Sequence, residues 1–304
     1  MLDIGIVGLG GIGNNHARCY AENKYTRVVA VCDIDKSRAD SAAARWDAQP
    51  YYSVRQMLKS GINLDACSVT TAGIENGGDH YRPTMELLQA NIPVLGEKPI
   101  SNDVSEARRM VALSKKKRIS YGVNLNHRFT PSAIRAKKWL TEGRLGELNI
   151  VNMTMWINNP NESSPWFHIR ALHPHSLDVM RYFAGEVESV QSFFKKGKGR
   201  KIWSNVQVNL LFKNGVIGHL TGSYDAGGSY GLETLELVGS EGRVIINEAC
   251  EKLSFYHRFS QEVESFDHLG GMGGFSETFS SRIGAWVDDL RKNTPPSKVN
   301  AKAE

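Results

Sequence analysis

The chain has 304 residues, 41% of them hydrophobic and 23% charged, with a formal net charge of +5. That is the composition of a soluble globular protein long enough for two domains, and it excludes a disordered or fibrous chain. No apolar run reaches the roughly 18 residues that a membrane helix needs.

Up to about residue 122, short apolar runs alternate with helix-like stretches. The runs are Ile4–Val7, Val28–Cys32, Ala66–Val69, Val94–Gly96 and Ile119–Gly122. The helical patterns are Ile12–Glu22, Lys36–Arg45, Ser53–Lys59, His80–Ala90 and Val104–Lys117. Such a rhythm predicts parallel strands buried on both faces by crossover helices. The expected fold class is α/β, an N-terminal doubly wound Rossmann domain. A helix over Ser132–Thr141 follows, and then the rhythm changes. Leu148–Ile157, Val187–Phe194, Trp203–Phe212, Val216–Tyr224, Glu233–Val238 and Gly242–Ile246 read as strands, with one helix at Pro174–Phe183 among them. The turn signals Lys213-Asn214-Gly215 and Gly239–Gly242 predict antiparallel neighbours. The second part is therefore a C-terminal α+β domain with a large, mostly antiparallel sheet and helices on one face. His268–Phe275 reads as a loop, and a last helix at about 276–291 precedes a polar tail. The expected division is 1–122, a nucleotide-binding domain, and 123–304, a substrate-binding and oligomerisation domain. The last helix packs either there or back toward the first domain.

The basic excess concentrates in Lys195–Lys201. This run lies between two strand-like segments and holds two glycines, so it reads as a solvated hairpin loop and no nucleic-acid partner is expected. Cys19, Cys32, Cys67 and Cys250 are scattered, which suits a reduced, cytoplasmic protein. Asp3 and the lack of a basic start are unlike a signal peptide, and no membrane partner is expected.

Gly8-Leu9-Gly10-Gly11-Ile12-Gly13 fits the G-x-G-x-x-G turn between a strand and a helix. There the first glycine permits the turn and the second admits a pyrophosphate. The third lets helix and strand pack closely, while free N–H groups at the helix start hold phosphate. Asp33 ends the second apolar run, where a carboxylate accepts from ribose hydroxyls and repels a 2′-phosphate. NAD is therefore the expected cofactor. Lys36 and Arg38 follow closely and keep NADP as the alternative. In "GEKPIS", Lys98 stands just past a strand, at the carboxyl edge where such sheets bind ligands, and Pro99 restricts its backbone.

The glycine turn, "EKP", "NHRFTP" (Asn126–Pro131) and "HPHSLDVMRYFAG" (His173–Gly185) resemble, in order, the motifs of the Gfo/Idh/MocA oxidoreductase family. The resemblance spans nearly the whole chain. It implies an NAD(P)-dependent dehydrogenase of a sugar, inositol or related polyol, with Lys98 and His175 flanking the nicotinamide and the reacting carbinol. Histidine titrates near neutrality and can take the hydroxyl proton; an ammonium stabilises the developing alkoxide. Thr70, His80, Glu97 and Lys98 join Gly8, Gly10, Gly11, Ile12, Gly13, Asp33 and Arg38 as expected cofactor contacts.

Two departures from the family pattern stand out. Ala171 stands where the family has an aspartate that fixes the histidine tautomer. Asp178, three residues after His175, either substitutes for it or pairs elsewhere. The turn at Thr70–His80 is longer and richer in glycine than the family's. His173-Pro174-His175 suggests metal binding, but no third ligand with recognisable spacing accompanies it, so no metal is expected. Arg128 either packs at the domain junction or touches substrate. Trp156, Asn158, Trp166 and His168 surround a Pro/Asn/Ser-rich loop and are candidate sugar contacts. Met153 and Met155 read as sheet packing. An apolar sheet face left bare predicts a homodimer or homotetramer. Two other readings stay open: a non-catalytic dinucleotide-binding regulator or scaffold, motivated by Ala171, and an NAD-using glycosidase.

Overall fold

The computed structural model describes residues 1–72, 79–226, 232–269 and 275–296. Residues 73–78 of the glycine-rich turn, 270–274 of the expected loop and 297–304 of the tail lie outside the described residues. The chain divides into two compact units, Met1–Leu125 with Phe279–Glu304, and Asn126–Thr278.

The first unit runs β1 (Leu2–Val7), α1 (Gly11–Glu22), β2 (Thr26–Cys32), α2 (Lys36–Trp46), β3 (Gln49–Tyr51), α3 (Val54–Lys59), β4 (Ala66–Val69), α4 (Tyr81–Gln89), β5 (Val94–Gly96), α5 (Val104–Lys117) and β6 (Tyr121–Val123). Its sheet is parallel, in the order β3-β2-β1-β4-β5-β6. That order reverses beside β1, the doubly wound topology in which ligands sit at the carboxyl ends of the strands. The strands are short and apolar because both faces are covered: β4 and β5 are buried at every position. Asp35 caps α2 and Asp103 caps α5, each side chain accepting two backbone N–H groups.

The second unit runs α6 (Pro131–Thr141), β7 (Leu148–Trp156), α7 (Phe167–Ala184), β8 (Val187–Lys195), β9 (Asn205–Phe212), β10 (Ile217–Ser223), β11 (Glu233–Gly239), β12 (Gly242–Asn247), β13 (Lys252–His257) and β14 (Val263–Phe266). These strands form one sheet, β14-β13-β12-β11-β7-β10-β9-β8. It is antiparallel except where β10 lies parallel to β7. Alternation decides its two faces. Val206, Val208, Leu210 and Phe212 turn inward with Met153 and Met155, and Trp139 of α6 and Met180 and Phe183 of α7 close the core over them. The Lys195–Lys201 run joins β8 to β9 as expected, but Arg200 is held by Glu162 and Asp225 rather than solvated. All four cysteines are buried and free.

Two differences from the sequence expectation have physical causes. Pro174 marks no helix start: α7 begins seven residues earlier and carries Pro174 inside it. Phe167, His168 and Ala171 bury one face of that extra length and His173 is buried against Gly222, and the burial outweighs the missing N–H. The division expected at 122/123 falls instead after Leu125, and the last helix, α8 (Phe275–Arg291), belongs from Phe279 onward to the first unit. Phe279, Ile283, Trp286 and Val287 pack there against Ile4, Ile6, Leu9 and Tyr20.

If α8 is part of that core, Trp286→Ala lowers stability by about 3–5 kcal/mol in urea unfolding. A loss below about 1 kcal/mol makes the helix an appendage.

Candidate functional site

The glycine turn is built by close approach. Gly8 has φ +91°, and a Cβ there would lie 2.7 Å from the Thr71 nitrogen. A Cβ on Gly13 would lie 1.8 Å from the Gly8 carbonyl oxygen, so only glycine lets α1 meet β1. Gly10 and Gly11 are different, because among the described residues nothing lies within 4 Å of a Cβ at either. No contact among the described residues demands glycine there, and Gly10 begins α1 without a side-chain cap. The helix start is therefore an uncapped, open cradle of N–H groups beside Ile12, and it fits a pyrophosphate.

Asp33 clamps this turn. Its carboxylate accepts from the Leu9 N–H at 2.7 Å and the Asp35 N–H at 2.9 Å. Thr70 Oγ1 donates to the Gly8 carbonyl at 2.6 Å. Of the expected cofactor contacts, Thr70 thus shapes the turn from within. Arg38 is exposed and pairs with Asp35 at 3.4 Å.

Lys98 follows β5, and the Lys98–Pro99 peptide is cis. His80 is buried and its Nδ1–H donates to the Pro99 carbonyl at 2.7 Å. His80 therefore holds the lysine turn rather than facing outward. Glu97 is also buried. It accepts from His16 Nε2 at 3.1 Å and Asn124 Nδ2 at 2.5 Å, and its other oxygen takes the Lys98 N–H at 3.2 Å. His16 Nδ1 meets Ser68 Oγ at 3.1 Å, and Tyr20 OH meets the same oxygen at 3.1 Å. One proton order satisfies the chain: Tyr20 donates to Ser68, Ser68 to His16, and His16 to Glu97. Burial pushes the Glu97 carboxyl up, but His16, the Lys98 ammonium and Asn124 outweigh it and hold it below its usual value. Burial lowers the Lys98 ammonium, and the Glu97 charge offsets part of that. His16, Ser68 and Asn124 carried no sequence signal beyond their neighbourhood to the motifs.

In the second unit α7 presents His175 and, one turn on, Asp178. The Asp178 carboxylate is gripped by Arg128, with Nε to Oδ2 at 2.6 Å and a second nitrogen on Oδ1. Arg128 and Asp178, expected as substrate contacts, are thus brought together as a pair. The His175 ring stacks on His127, centroids 4.1 Å apart and planes 15° apart. His127 Nδ1 meets Glu233 Oε2 at 2.5 Å. Neither His127 nor Glu233 was singled out from the sequence.

His168 is a correction. It is fully buried, not lining a sugar site. Its Nδ1–H donates to the Trp203 carbonyl at 3.2 Å, and its Nε2 accepts from His173 Nε2 at 3.0 Å. His173 Nδ1 then accepts from Ser176 Oγ at 3.0 Å. Gly222 makes room for this pair, since a Cβ there would lie 2.1 Å from His173 Nε2. Burial pushes the His168 imidazole down to about 4 and holds His173 well below its usual value. Ala171 packs with Phe167, Ile202 and Tyr224. Trp166 is partly exposed against Phe194 and Trp203. Trp156 is half-buried at the end of β7, and Asn158 is exposed beyond it. Among the described residues no group of three or more His, Cys, Asp or Glu is placed to hold a metal. No described helix is long and apolar enough to cross a membrane.

The sequence model for the oxidoreductase family, NAD-binding Rossmann fold, matches residues 2–125, and that for the GFO/IDH/MocA C-terminal domain matches residues 133–245. The inositol 2-dehydrogenase of Rubrobacter xylanophilus is 26% identical, over 98% of this chain and 85% of its own. The levoglucosan dehydrogenase of Pseudarthrobacter phenanthrenivorans is 22% identical, over 81% of this chain and 73% of its own. In fold, the chain is similar to an oxidoreductase from Agrobacterium radiobacter crystallised with NAD+, L-tartaric acid and magnesium. The TM-score is 0.87 at 18% identity, covering 99% of this chain and 91% of that one.

The two depressed histidines give stability a pH dependence. Unfolded, each binds a proton near pH 6.5; folded, His168 does so only near 4. The unfolded state thus holds more protons, and stability falls as pH drops from about 6.5 toward 4. Urea midpoints at pH 7, 6 and 5 measure this, and His173→Gln flattens the decline.

Proposed function

The chain belongs to the Gfo/Idh/MocA oxidoreductase family, and from that premise we propose that it moves a hydride between NAD and a carbinol of a sugar, inositol or related polyol. The observation that carries this reading lies in the first unit. An open glycine cradle, the Asp33 carboxylate and the Lys98 ammonium all stand at the carboxyl ends of β1, β2 and β5 in one parallel sheet. The names of the inositol and levoglucosan relatives support the substrate class.

In this reading Gly8–Gly13 hold the pyrophosphate and Asp33 the adenine ribose, with its charge disfavouring a 2′-phosphate. Bound NAD supplies the hydride acceptor. His175 takes the hydroxyl proton in oxidation and returns it in reduction. Lys98 stabilises negative charge growing on the substrate oxygen. Trp156, Asn158 and Trp166 serve as sugar contacts. Arg128 and Asp178 hold the second-unit helix in place beside His175. The outer face of the second sheet exposes Phe193, Leu211, Ile217 and Tyr256. A second copy of this chain covers it, in a homodimer or homotetramer, and a strictly monomeric mass by light scattering overturns that part.

A screen with NAD and NADP across sugars, inositols and their phosphates tests the activity. Lys98→Ala and His175→Ala each lower kcat by about 10²–10⁴-fold while NAD still binds. Ala171 favours a second reading, a dinucleotide-binding regulator. Tight NAD binding with no turnover on any substrate selects it.

Asp33→Ala narrows the preference for NAD over NADP by about tenfold or more, a change of about 1.4 kcal/mol. An unchanged ratio removes Asp33 from the ribose site.

A further inference from the structure

Glu233 and His127 are the most buried acid–base pair in the second unit that the proposed chemistry leaves unused. Their side chains are 3% and 5% exposed. A carboxylate so enclosed is costly unless donors meet it. His127 Nδ1 meets it at 2.5 Å. The thiol of Cys250, itself buried, is pushed up first by burial and then by the Glu233 charge, so it stays protonated beside the carboxylate. Such an environment leaves His127 one tautomer, with the proton on Nδ1, and fixes the plane of its ring.

That plane lies flat against His175, at 4.1 Å and 15°. Stacked rings cannot pass a proton between them, because N–H and lone pair both lie in the ring planes. They act on each other by packing and by charge. Two imidazolium ions at 4.1 Å repel strongly, so a proton on one ring opposes a proton on the other. The Glu233 carboxylate behind His127 favours a proton on His127. Among the described contacts, Asp178 on α7 and Arg128 beside His127 stand near the stack and are paired with each other. His168 and His173 pair separately.

We propose that Glu233 and His127 form a positioning pair for His175: the carboxylate fixes the His127 ring, and that ring orients His175 and, when protonated, opposes a second proton on His175. The pair touches no reacting atom; it acts through His175. Glu233 sits on β11 and His127 in the 3-10 turn His127–Phe129, so the device is assembled across the fold. The proposal rests on His175 being the proton carrier.

The test is an NMR pH titration of the full chain with ¹⁵N-labelled histidine, assigned with His175→Asn and His127→Asn. The wild-type stack takes up its two protons in separate, coupled steps. Two independent titrations overturn the proposal without any variant. Glu233→Gln keeps a hydrogen-bond acceptor and removes the charge, so the first uptake moves to lower pH by about half a unit or more. Glu233→Asp stays close to wild type. No shift in Glu233→Gln overturns the proposal. In parallel, the acid limb of kcat in Glu233→Gln moves, with KM little changed. A limb that stays put while the midpoint moves overturns the positioning role. If the titrations behave as expected but no polyol is turned over with NAD, the dehydrogenase reading fails and the coupled histidine pair stands.

Discussion

One enclosed carboxylate sets the ligand-facing edge of the first sheet. Glu97 takes hydrogen bonds from His16 on α1, from Asn124 beyond β6 and from the Lys98 backbone. His16 is tied through Ser68 to β4, and Tyr20 completes the chain. A carboxylate that loses such donors in a dry interior costs several kcal/mol, so these elements hold one another in register. The glycine turn inherits that rigidity because it opens the helix that carries His16 and Tyr20. The lysine turn inherits it because Lys98 follows Glu97 directly, with His80 fixing the next carbonyl. Cofactor cradle and ammonium are thus parts of one hydrogen-bonded frame.

The second unit sorts its histidines by environment. His168, His173 and His175 all project from α7. The first two are sealed in neutral form by burial and by each other, and Gly222 gives them the space. Their part is to close the packing between α7 and the sheet strands near Tyr224. His175 instead lies on a ring backed by a carboxylate. Three residues of one type on one helix therefore do different work, and only the neighbours tell them apart.

Much of the first unit could be read from the chain because its signals are local. Parallel strands buried on both faces give unbroken apolar runs, and the glycine turn and "EKP" are contiguous. What escaped was short, at an edge or far apart. β3 has three residues, one of them Pro50, and β13 and β14 finish the sheet with mixed polar residues. Pro174 disguised the first two turns of α7, where burial of one face overrode the helix-breaking residue. The pairing of His127 with Glu233 joins positions 106 residues apart and leaves no local trace. His168 misled in the opposite way: an aromatic-rich neighbourhood looked like a sugar surface when it was the interior of an aromatic cluster.

Ala171 is the point where residue-by-residue transfer of a motif and the physics of this fold part company. An aspartate there would stand beside Phe167, Ile202 and Tyr224, buried residues that make a charge costly. Desolvation would raise its pKa. Alanine fills the position at no such cost. A carboxylate for the histidine stack then has to come from elsewhere, and β11 provides one already furnished with a hydrogen-bond donor. Roles of this kind depend on geometry and charge rather than on the position in the chain from which the side chain arrives. The missing acid on α7 is therefore weak grounds for calling the site dead, since one property it would confer, a held imidazole, is available from another element.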